Sequence, residues 1–179
     1  LVVDCPMSIA ADLGYAFKRP NPFQRLMQAF ASSRFGAWLF SKLLHHLDDV
    51  VGRLSGGRQS VPGLLAGLPV VDVTTTGRKS GLRRTTHLIS IPVGDTLALL
   101  GTNFGQSSTP AWVFNLEADP HASVTFRGTT LDVVARPATE AEFDEVMAAS
   151  AGIYGGYKKY RTRITGRRIR IFVLEPASS

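Results

Sequence analysis

The residues best suited to chemistry form a short basic stretch between two glycines. Residues 77–81 read Gly-Arg-Lys-Ser-Gly, and Arg83 and Arg84 follow after Leu82. Arginine offers a planar fork to phosphate or carboxylate, lysine a point charge, and serine a hydroxyl donor. A tight turn also directs several backbone N–H groups toward one point, and such a nest favours an anion. The stretch predicts an anion pocket for the phosphate end of a cofactor; the alternative is a solvated basic hairpin.

The common nucleotide motifs do not describe this stretch. A P-loop needs a glycine directly before its lysine, and Arg78 occupies that place. No G-x-G-x-x-G sequence follows a strand pattern, so a dinucleotide-binding fold is not indicated.

Composition and charge limit which classes of protein and partner remain possible. The 179 residues are enough for one domain with a hydrophobic core, and the formal net charge is +6. The excess is uneven, because residues 151–179 hold seven lysines and arginines and one glutamate. An acidic ligand, a membrane surface and a nucleic acid are therefore all considered as partners. Cys5 stands alone, which excludes an intrachain disulfide, and the four histidines lack zinc-site spacing, so we expect no metal.

Strand patterns dominate from residue 70 onward. β-Branched residues flank the basic turn, and tight-turn sequences such as Gly94-Asp95 and Arg127-Gly128 join later strands. The predicted strands are 70–76, 84–92, 96–100, 121–126, 129–135 and about 169–174. Helices are predicted over 110–117 and, after a capping box at Thr139, to about 150. Short antiparallel strands with few helices predict a mainly β, α+β domain built on a small barrel.

The first third of the chain has a different character. Residues 1–20 show no firm pattern, residues 22–51 carry apolar side chains at helical spacing, and residues 52–69 form a Gly, Ser and Pro-rich linker. The predicted division is an N-terminal extension, 1–60, and a cofactor-binding domain, 61–179. The helices of 22–51 are predicted to dock on the domain, with subunit pairing or peripheral membrane contact as alternatives.

Two further features could meet the basic turn. The glycine-rich loop 101–108 leads into the 110–117 helix, whose N-terminus attracts anions. Tyr154, Tyr157 and Tyr160 recur at a spacing of three, which predicts that they lie along one side of a helix. Phenol rings can cover a planar ligand, although such a stripe is also typical of core packing.

Taken together, these motifs resemble the deazaflavin-dependent nitroreductase family of actinobacteria. The resemblance rests on residues 74–84 (TTTGRKSGLRR), 101–105 (GTNFG), 110–120 (PAWVFNLEADP) and the closing Glu175-Pro176, together with the tyrosines. It implies a split β-barrel of the FMN-binding type, preceded by N-terminal helices. It also implies coenzyme F-420, a flavin-like two-electron carrier with a phosphate and a glutamate tail.

The resemblance also assigns residues to parts of that coenzyme. Basic and hydroxyl side chains of the turn would hold the phosphate and the acidic tail, the following strand would line the next part, and the loop and short helix would border the ring. The tyrosines would close the substrate side as catalytic residues, with Tyr157 nearest the coenzyme. The implied coenzyme-binding residues are Arg78, Lys79, Ser80, Arg84, Thr85, Thr86, His87, Leu88, Thr102, Asn103, Ala111, Trp112, Val113, Phe114 and Asn115.

The implied activity is transfer of a hydride from reduced F-420 to an electron-poor small molecule, either a quinone or a nitroaromatic. One alternative is a non-catalytic carrier for F-420 or a related flavin-like or haem-like ligand. Another is nucleic-acid binding by the basic run 157–170, although no reader motif is present. A cytoplasmic protein is expected, with membrane association through residues 22–51 as an alternative; the oligomeric state is left open.

Overall fold

Six antiparallel strands close into a barrel in the computed structural model, which describes residues 8–15, 33, 68 and 70–177. The order around the barrel is β1-β2-β3-β6-β5-β4, and β1 pairs with β4 to close it. The strands are β1 Val70–Thr76, β2 Arg83–Val93, β3 Thr96–Leu100, β4 His121–Phe126, β5 Thr129–Pro137 and β6 Ile171–Pro176. The helices are α1 Ile9–Asp12, α2 Ala111–Ala118, α3 Glu140–Ile153 and α4 Gly156–Arg163. The predicted mainly β barrel is confirmed.

Alternation along the strands separates two cores. In β1, Val71, Val73 and Thr75 are buried while their neighbours are partly exposed, which is the period of a half-buried strand. The inward side chains form the barrel core, and α2 adds Trp112 and Leu116 to it. Outward residues of β2, β3 and β6 form a second core beneath α3 and α4, which contains the three tyrosines. The tyrosines therefore pack in the outer core, and β1, which leads into the basic turn, packs with α2 in the barrel core.

The connections follow the predicted turn chemistry. Gly94 has a φ of 54°, and Arg127 and Gly128 have φ values of 49° and 93°, as tight hairpins between twisted strands require. At the start of α3 the Thr139 hydroxyl accepts a hydrogen bond from the Glu142 amide, and the Glu142 carboxylate accepts one from the Thr139 amide. The predicted capping box is confirmed.

Residues 1–20 show no firm pattern in the sequence, yet the part that the structure describes contains a short helix. Ser8 caps the short helix α1, and Ile9 and Leu13 are buried in the barrel core. The Tyr15 hydroxyl donates to the Ser90 carbonyl at 2.6 Å. The apolar residues of this segment are too few to show a helical period, so their burial depends on a barrel that the local pattern does not reveal.

Other predictions for the N-terminal third stay predictions. The helices expected over 22–51 lie outside the described residues, apart from Ser33, and the division at residue 60 is not tested by the residues described. Within the described ranges, no helix combines the length and the apolarity needed to cross a bilayer.

An ion-pair network fastens α3 to the barrel. The Arg136 guanidinium on β5 donates to both carboxylate oxygens of Glu142, at 2.8 and 2.6 Å, and to Glu175 on β6 at 2.6 Å. These hydrogen bonds, with the Thr139 amide, lower the pKa of Glu142 to about 2. The network joins one helix and two strands at a partly exposed site.

Replacing Glu142 with glutamine should reveal this network as a function of pH. A carboxylate with a lowered pKa stabilises the fold above its unfolded value near 4.5, and the stabilisation is lost as the pH falls toward 2. Glutamine keeps the cap acceptor, so E142Q should cost only about 1 kcal/mol at pH 7, because the pair is partly exposed. Urea unfolding at pH 7, 4.5 and 3 should show the two proteins converging. Parallel stability curves at every pH would contradict the network.

Candidate functional site

The basic turn is a compact loop closed by its own backbone. The Gly77 amide donates to the Leu82 carbonyl at 2.8 Å, and the Ser80 and Gly81 amides donate to the Gly77 carbonyl. Gly81 has a φ of 68°, a region that other residues rarely adopt. Because these amides are used within the protein, the predicted backbone nest for an anion is wrong. The anion-binding capacity of the turn rests on its exposed side chains.

A buried amide anchors this turn to α2. Asn115 is 7% exposed, its Oδ1 accepts the Arg78 backbone N–H at 3.1 Å, and its Nδ2 donates to the Thr75 hydroxyl at 3.0 Å. Both ends of the side chain are therefore satisfied inside the fold, as buried amides require. Asn115 links β1, the turn and the helix.

Arg78 stacks on the same helix. Its guanidinium carbon lies 4.4 Å from the centre of the Phe114 ring, and that of Arg170 lies 5.9 Å from the same ring. Arg170 also pairs with Glu117 at 2.5 Å, which offsets one of the two charges around the ring. Phe114 therefore supports a cation, a role that the sequence did not indicate.

The cations of the turn have no carboxylate partner within the described ranges. None of the ion pairs found there involves Arg78, Lys79, Arg83 or Arg84. Arg83 donates instead to the Ser123 hydroxyl at 3.0 Å. Four positive charges on one hairpin are thus uncompensated by these residues, which suits an anionic ligand.

The four consecutive residues assigned to the coenzyme on β2 divide between its two faces. The Thr85 hydroxyl bonds to Thr74 at 2.8 Å, and His87 Nδ1 lies 2.6 Å from the Asp72 carboxylate. Leu88 packs against the barrel core, and Thr86 shares its side of the strand. A ligand that lies against one face of this strand can therefore contact either Thr85 and His87 or Thr86 and Leu88, but not both pairs. Strand alternation determines which residues share a face.

The loop after β3 has an unusual backbone. Asn103, Phe104 and Gly105 have successive φ values of 47°, 54° and 79°. For the two non-glycine residues this conformation costs on the order of 1 kcal/mol each. The Asn103 side chain donates to the backbone and hydroxyl oxygens of Ser108, and Thr102 is buried. Non-glycine residues in this region often mark functional sites.

The three tyrosines form one buried cluster. Each pair of rings meets edge to face, with centroids 5.5 to 6.2 Å apart, and the Tyr154 and Tyr160 hydroxyls are 3.1 Å from each other. The expectation of one helical stripe is wrong for Tyr154, which ends α3 with φ −145° and ψ 109°. Gly155 separates α3 from α4, which begins at Gly156, so only Tyr157 and Tyr160 lie on α4.

Burial keeps these phenols neutral. Desolvation, followed by the neighbouring phenols, raises the pKa of Tyr154 and of Tyr157 well above the ordinary value. The pKa of Tyr160 is also raised, chiefly by burial. All three hydroxyls are therefore protonated at neutral pH and can donate hydrogen bonds.

The loop and the tyrosine cluster touch each other. A Cβ atom on Gly105 would lie 2.9 Å from Cδ1 of the Tyr160 ring, so only glycine fits at this position. The structure brings loop 101–106 onto the tyrosines, while the basic turn meets α2. Ala111 is exposed at the start of that helix, and Trp112 and Val113 are buried in the barrel core.

Arg167 is the residue of this region that sequence reasoning missed. Its guanidinium donates to the carbonyls of Gly101, Thr102 and Gln106 at 2.8, 3.0 and 3.0 Å. In the sequence it belongs to a basic run, and only the fold shows that its charge is turned toward carbonyls. Arg168 pairs with Glu140 and Arg170 with Glu117, so three cations of the 157–170 run are engaged within the protein. This weakens the nucleic-acid alternative.

Comparison with known proteins identifies the family of this chain. The family model described as F420H(2)-dependent quinone reductase matches residues 48–176. The chain belongs to this family. A quinone reductase of the family from Mycobacterium tuberculosis is 28% identical over 136 residues, which are 73% of this chain and 89% of that protein.

Two solved structures share the fold. One is an F420-H2 dependent reductase, 32% identical with a TM-score of 0.55 over 60% of this chain and 94% of that one. The other, a domain-swapped dimer, is 27% identical with a TM-score of 0.57 over 71% of this chain and 95% of that one. The family resemblance and split barrel predicted from sequence are confirmed. The protein is an F-420-dependent reductase and not the carrier considered as an alternative.

The residues present fit the coenzyme in one respect that the structure itself supplies. F-420 carries a phosphate and a glutamate tail, and the turn that follows β1 offers cations that pair with no carboxylate of the described ranges, on a backbone that Asn115 anchors at Arg78. The assignment of single residues to parts of the coenzyme stays a prediction.

Replacing Asn115 with alanine should loosen the basic turn. The change leaves the Arg78 amide and the buried Thr75 hydroxyl without this partner, which should cost about 1–3 kcal/mol in urea unfolding. Hydrogen exchange of the Arg78 amide should accelerate. The Arg127-Gly128 hairpin at the other end of the barrel serves as an internal reference. Unchanged exchange at Arg78 would show that the amide does not anchor the turn.

Proposed function

We propose that this reductase transfers a hydride from reduced F-420 to a quinone, with nitroaromatics as further acceptors. The observation that carries the proposal is the basic turn, whose four cations lack a described carboxylate partner and whose backbone is held at Arg78 by Asn115. Arg78, Lys79, Ser80 and Arg84 would bind the phosphate and the acidic tail. When bound, the reduced coenzyme supplies the hydride from its deazaflavin ring.

The tyrosine cluster is proposed to serve the acceptor. A quinone that gains a hydride needs one proton to become the hydroquinone. Tyr157 is a neutral, buried phenol in contact with Tyr154 and Tyr160, so its hydroxyl can orient that proton by a hydrogen bond to the acceptor oxygen, and a proton that it donates would have to be replaced from solvent. Planar acceptors also suit a surface of edge-to-face rings.

A cellular location and a membrane contact are proposed with this function. The single cysteine excludes an intrachain disulfide, which suits a cytoplasmic protein. Peripheral membrane contact through residues 22–51, where a lipid quinone could be met, is kept as a hypothesis; its basis is the apolar helical spacing of that sequence. The oligomeric state is left open.

Removing charge from the turn should weaken F-420 binding. Each of Lys79→Ala and Arg84→Ala deletes one charge-assisted contact to an anion, which corresponds to about a tenfold rise in Kd. Titration of the purified protein, followed by the absorbance and fluorescence of F-420, measures the change. Wild-type affinity should also fall with rising salt, because the contacts are exposed.

Arg127→Ala is the matched control for charge. Arg127 is also an exposed arginine at a hairpin tip, but β4 runs antiparallel to β1, so the tip lies at the opposite end of the strands. Its removal should leave the Kd within about twofold. Equal losses in all three variants would indicate non-specific attraction, and no wild-type binding would refute the proposed function.

Tyr157→Phe tests the proton role. The variant keeps the ring and its edge contacts, so F-420 affinity should be unchanged. Steady-state turnover of menadione should fall by about 100-fold, the lower range for a positioned acid. Tyr154→Phe, which removes one partner of the Tyr154–Tyr160 hydrogen bond but keeps the Tyr157 hydroxyl, provides the comparison. Turnover of Tyr157→Phe equal to wild type would remove this role.

A further inference from the structure

The loop that follows β3 combines strain with an unusually strong anchor. Asn103 and Phe104 hold left-handed backbone conformations that favour glycine. Such a conformation persists only where surrounding contacts impose it. Asn103 and Ser108 hold the loop from within, and the Arg167 guanidinium holds it from outside by binding the Gly101, Thr102 and Gln106 carbonyls on both sides of the bend.

The Arg167 anchor has its own cost. Burial lowers the pKa of this guanidinium, with a smaller contribution from Arg170, and its Nε–H has no hydrogen-bond acceptor among the described residues. A buried donor without a partner opposes folding. Neighbouring Arg168, by contrast, lies at the surface and pairs with Glu140. Burying Arg167 therefore costs free energy of folding, while its three hydrogen bonds hold this loop in place.

The loop presents an apolar ring at its bend. Phe104 is 39% exposed, one of two large apolar side chains that the described ranges leave this accessible. The next residue, Gly105, rests directly on the Tyr160 ring. Phe104 thus directly precedes the residue that contacts the tyrosine cluster, which is the side of the site where the acceptor is proposed to bind.

We propose that Phe104 contacts the planar acceptor and that Arg167 is the positioning residue that presents it. The inference rests on the proposed function and adds two residues to it. The Arg167 fork fixes the backbone of residues 101–106, and this fixed backbone directs the Phe104 ring toward an uncharged, planar ring system such as a quinone. Ring-on-ring contact then contributes to acceptor affinity.

Phe104→Gly separates strain from function. Glycine adopts the left-handed conformation without penalty, so the thermal midpoint should stay the same or rise. The KM for menadione should rise about fivefold to tenfold, the equivalent of one lost aromatic contact. The Kd for F-420 should remain within about twofold. A residue that merely fills space in the fold would not combine retained stability with a higher KM.

Arg167→Lys tests the positioning role. Lysine keeps the charge but cannot bind three carbonyls in the geometry of the planar fork. We expect the same rise in KM with little change in coenzyme affinity. The double variant with Phe104→Gly should add no more than about twofold, because both changes remove one interaction. Arg168→Ala, which removes the surface pair with Glu140 and the stacking on Phe143 but no contact to loop 101–106, should match wild type.

The outcomes distinguish this inference from the function on which it rests. A wild-type protein that does not bind F-420 would overturn both. A wild-type protein that reduces menadione, with an unchanged KM in Phe104→Gly, would overturn the inference alone. A rise in the F-420 Kd of Phe104→Gly in place of the acceptor KM would place the ring against the coenzyme and would also overturn it.

Discussion

One buried amide determines where the charged end of the site can lie. Asn115 joins the interior hydroxyl of Thr75 to the backbone of the basic turn, and it does so from a helix whose other face packs in the barrel core. A buried amide that lost either partner would oppose folding, so the three elements hold a fixed mutual position. The stacking of Arg78 on Phe114 follows from that position, because Phe114 precedes Asn115 on the helix. The cationic side chains of the turn thus extend from a backbone that Asn115 holds in place.

Charge alone is a poor guide to the site in this protein. The C-terminal run holds more positive charge than the turn, yet Arg167 is directed at carbonyls and Arg168 and Arg170 at glutamates. The turn has fewer cations, but within the described ranges no carboxylate pairs with them. An anionic ligand gains most where positive charge has not already been offset by the protein. The distinction depends on which carboxylates the fold brings near, and that is not encoded in the local sequence.

The features predicted correctly are those that local residues determine. Alternation sets the strands, Gly94 and Gly128 mark hairpins, and Thr139 with Glu142 forms a capping box whichever way the chain continues. The features missed depend on distant partners. The burial of Ile9 requires a finished barrel, and the anchoring role of Arg167 requires a loop more than sixty residues away.

Two of the site expectations failed for a related reason. The nest of free amides was inferred from the turn sequence, but the turn closes on its own Gly77 and Leu82 carbonyls. The tyrosine stripe was inferred from spacing, but consecutive glycines after Tyr154 end one helix before the next begins. Residues spaced three apart lie on one helix face only if a single helix runs through all of them. The three rings still meet, because edge-to-face packing in the outer core brings Tyr154 back against α4.

The basic turn and the tyrosine cluster differ in electrostatics, and the difference suits the roles proposed for them. At the turn, binding depends on formal charge, which favours a ligand with a constant anionic group. At the tyrosines, burial keeps every phenol neutral, so a ligand there is met by apolar rings and weakly polar hydroxyls. Quinones and nitroaromatics are uncharged and planar, and nothing in such a surface distinguishes strongly between them. Under the proposed function, selectivity for the coenzyme would come from the charged turn, and tolerance toward the acceptor would come from the aromatic surface.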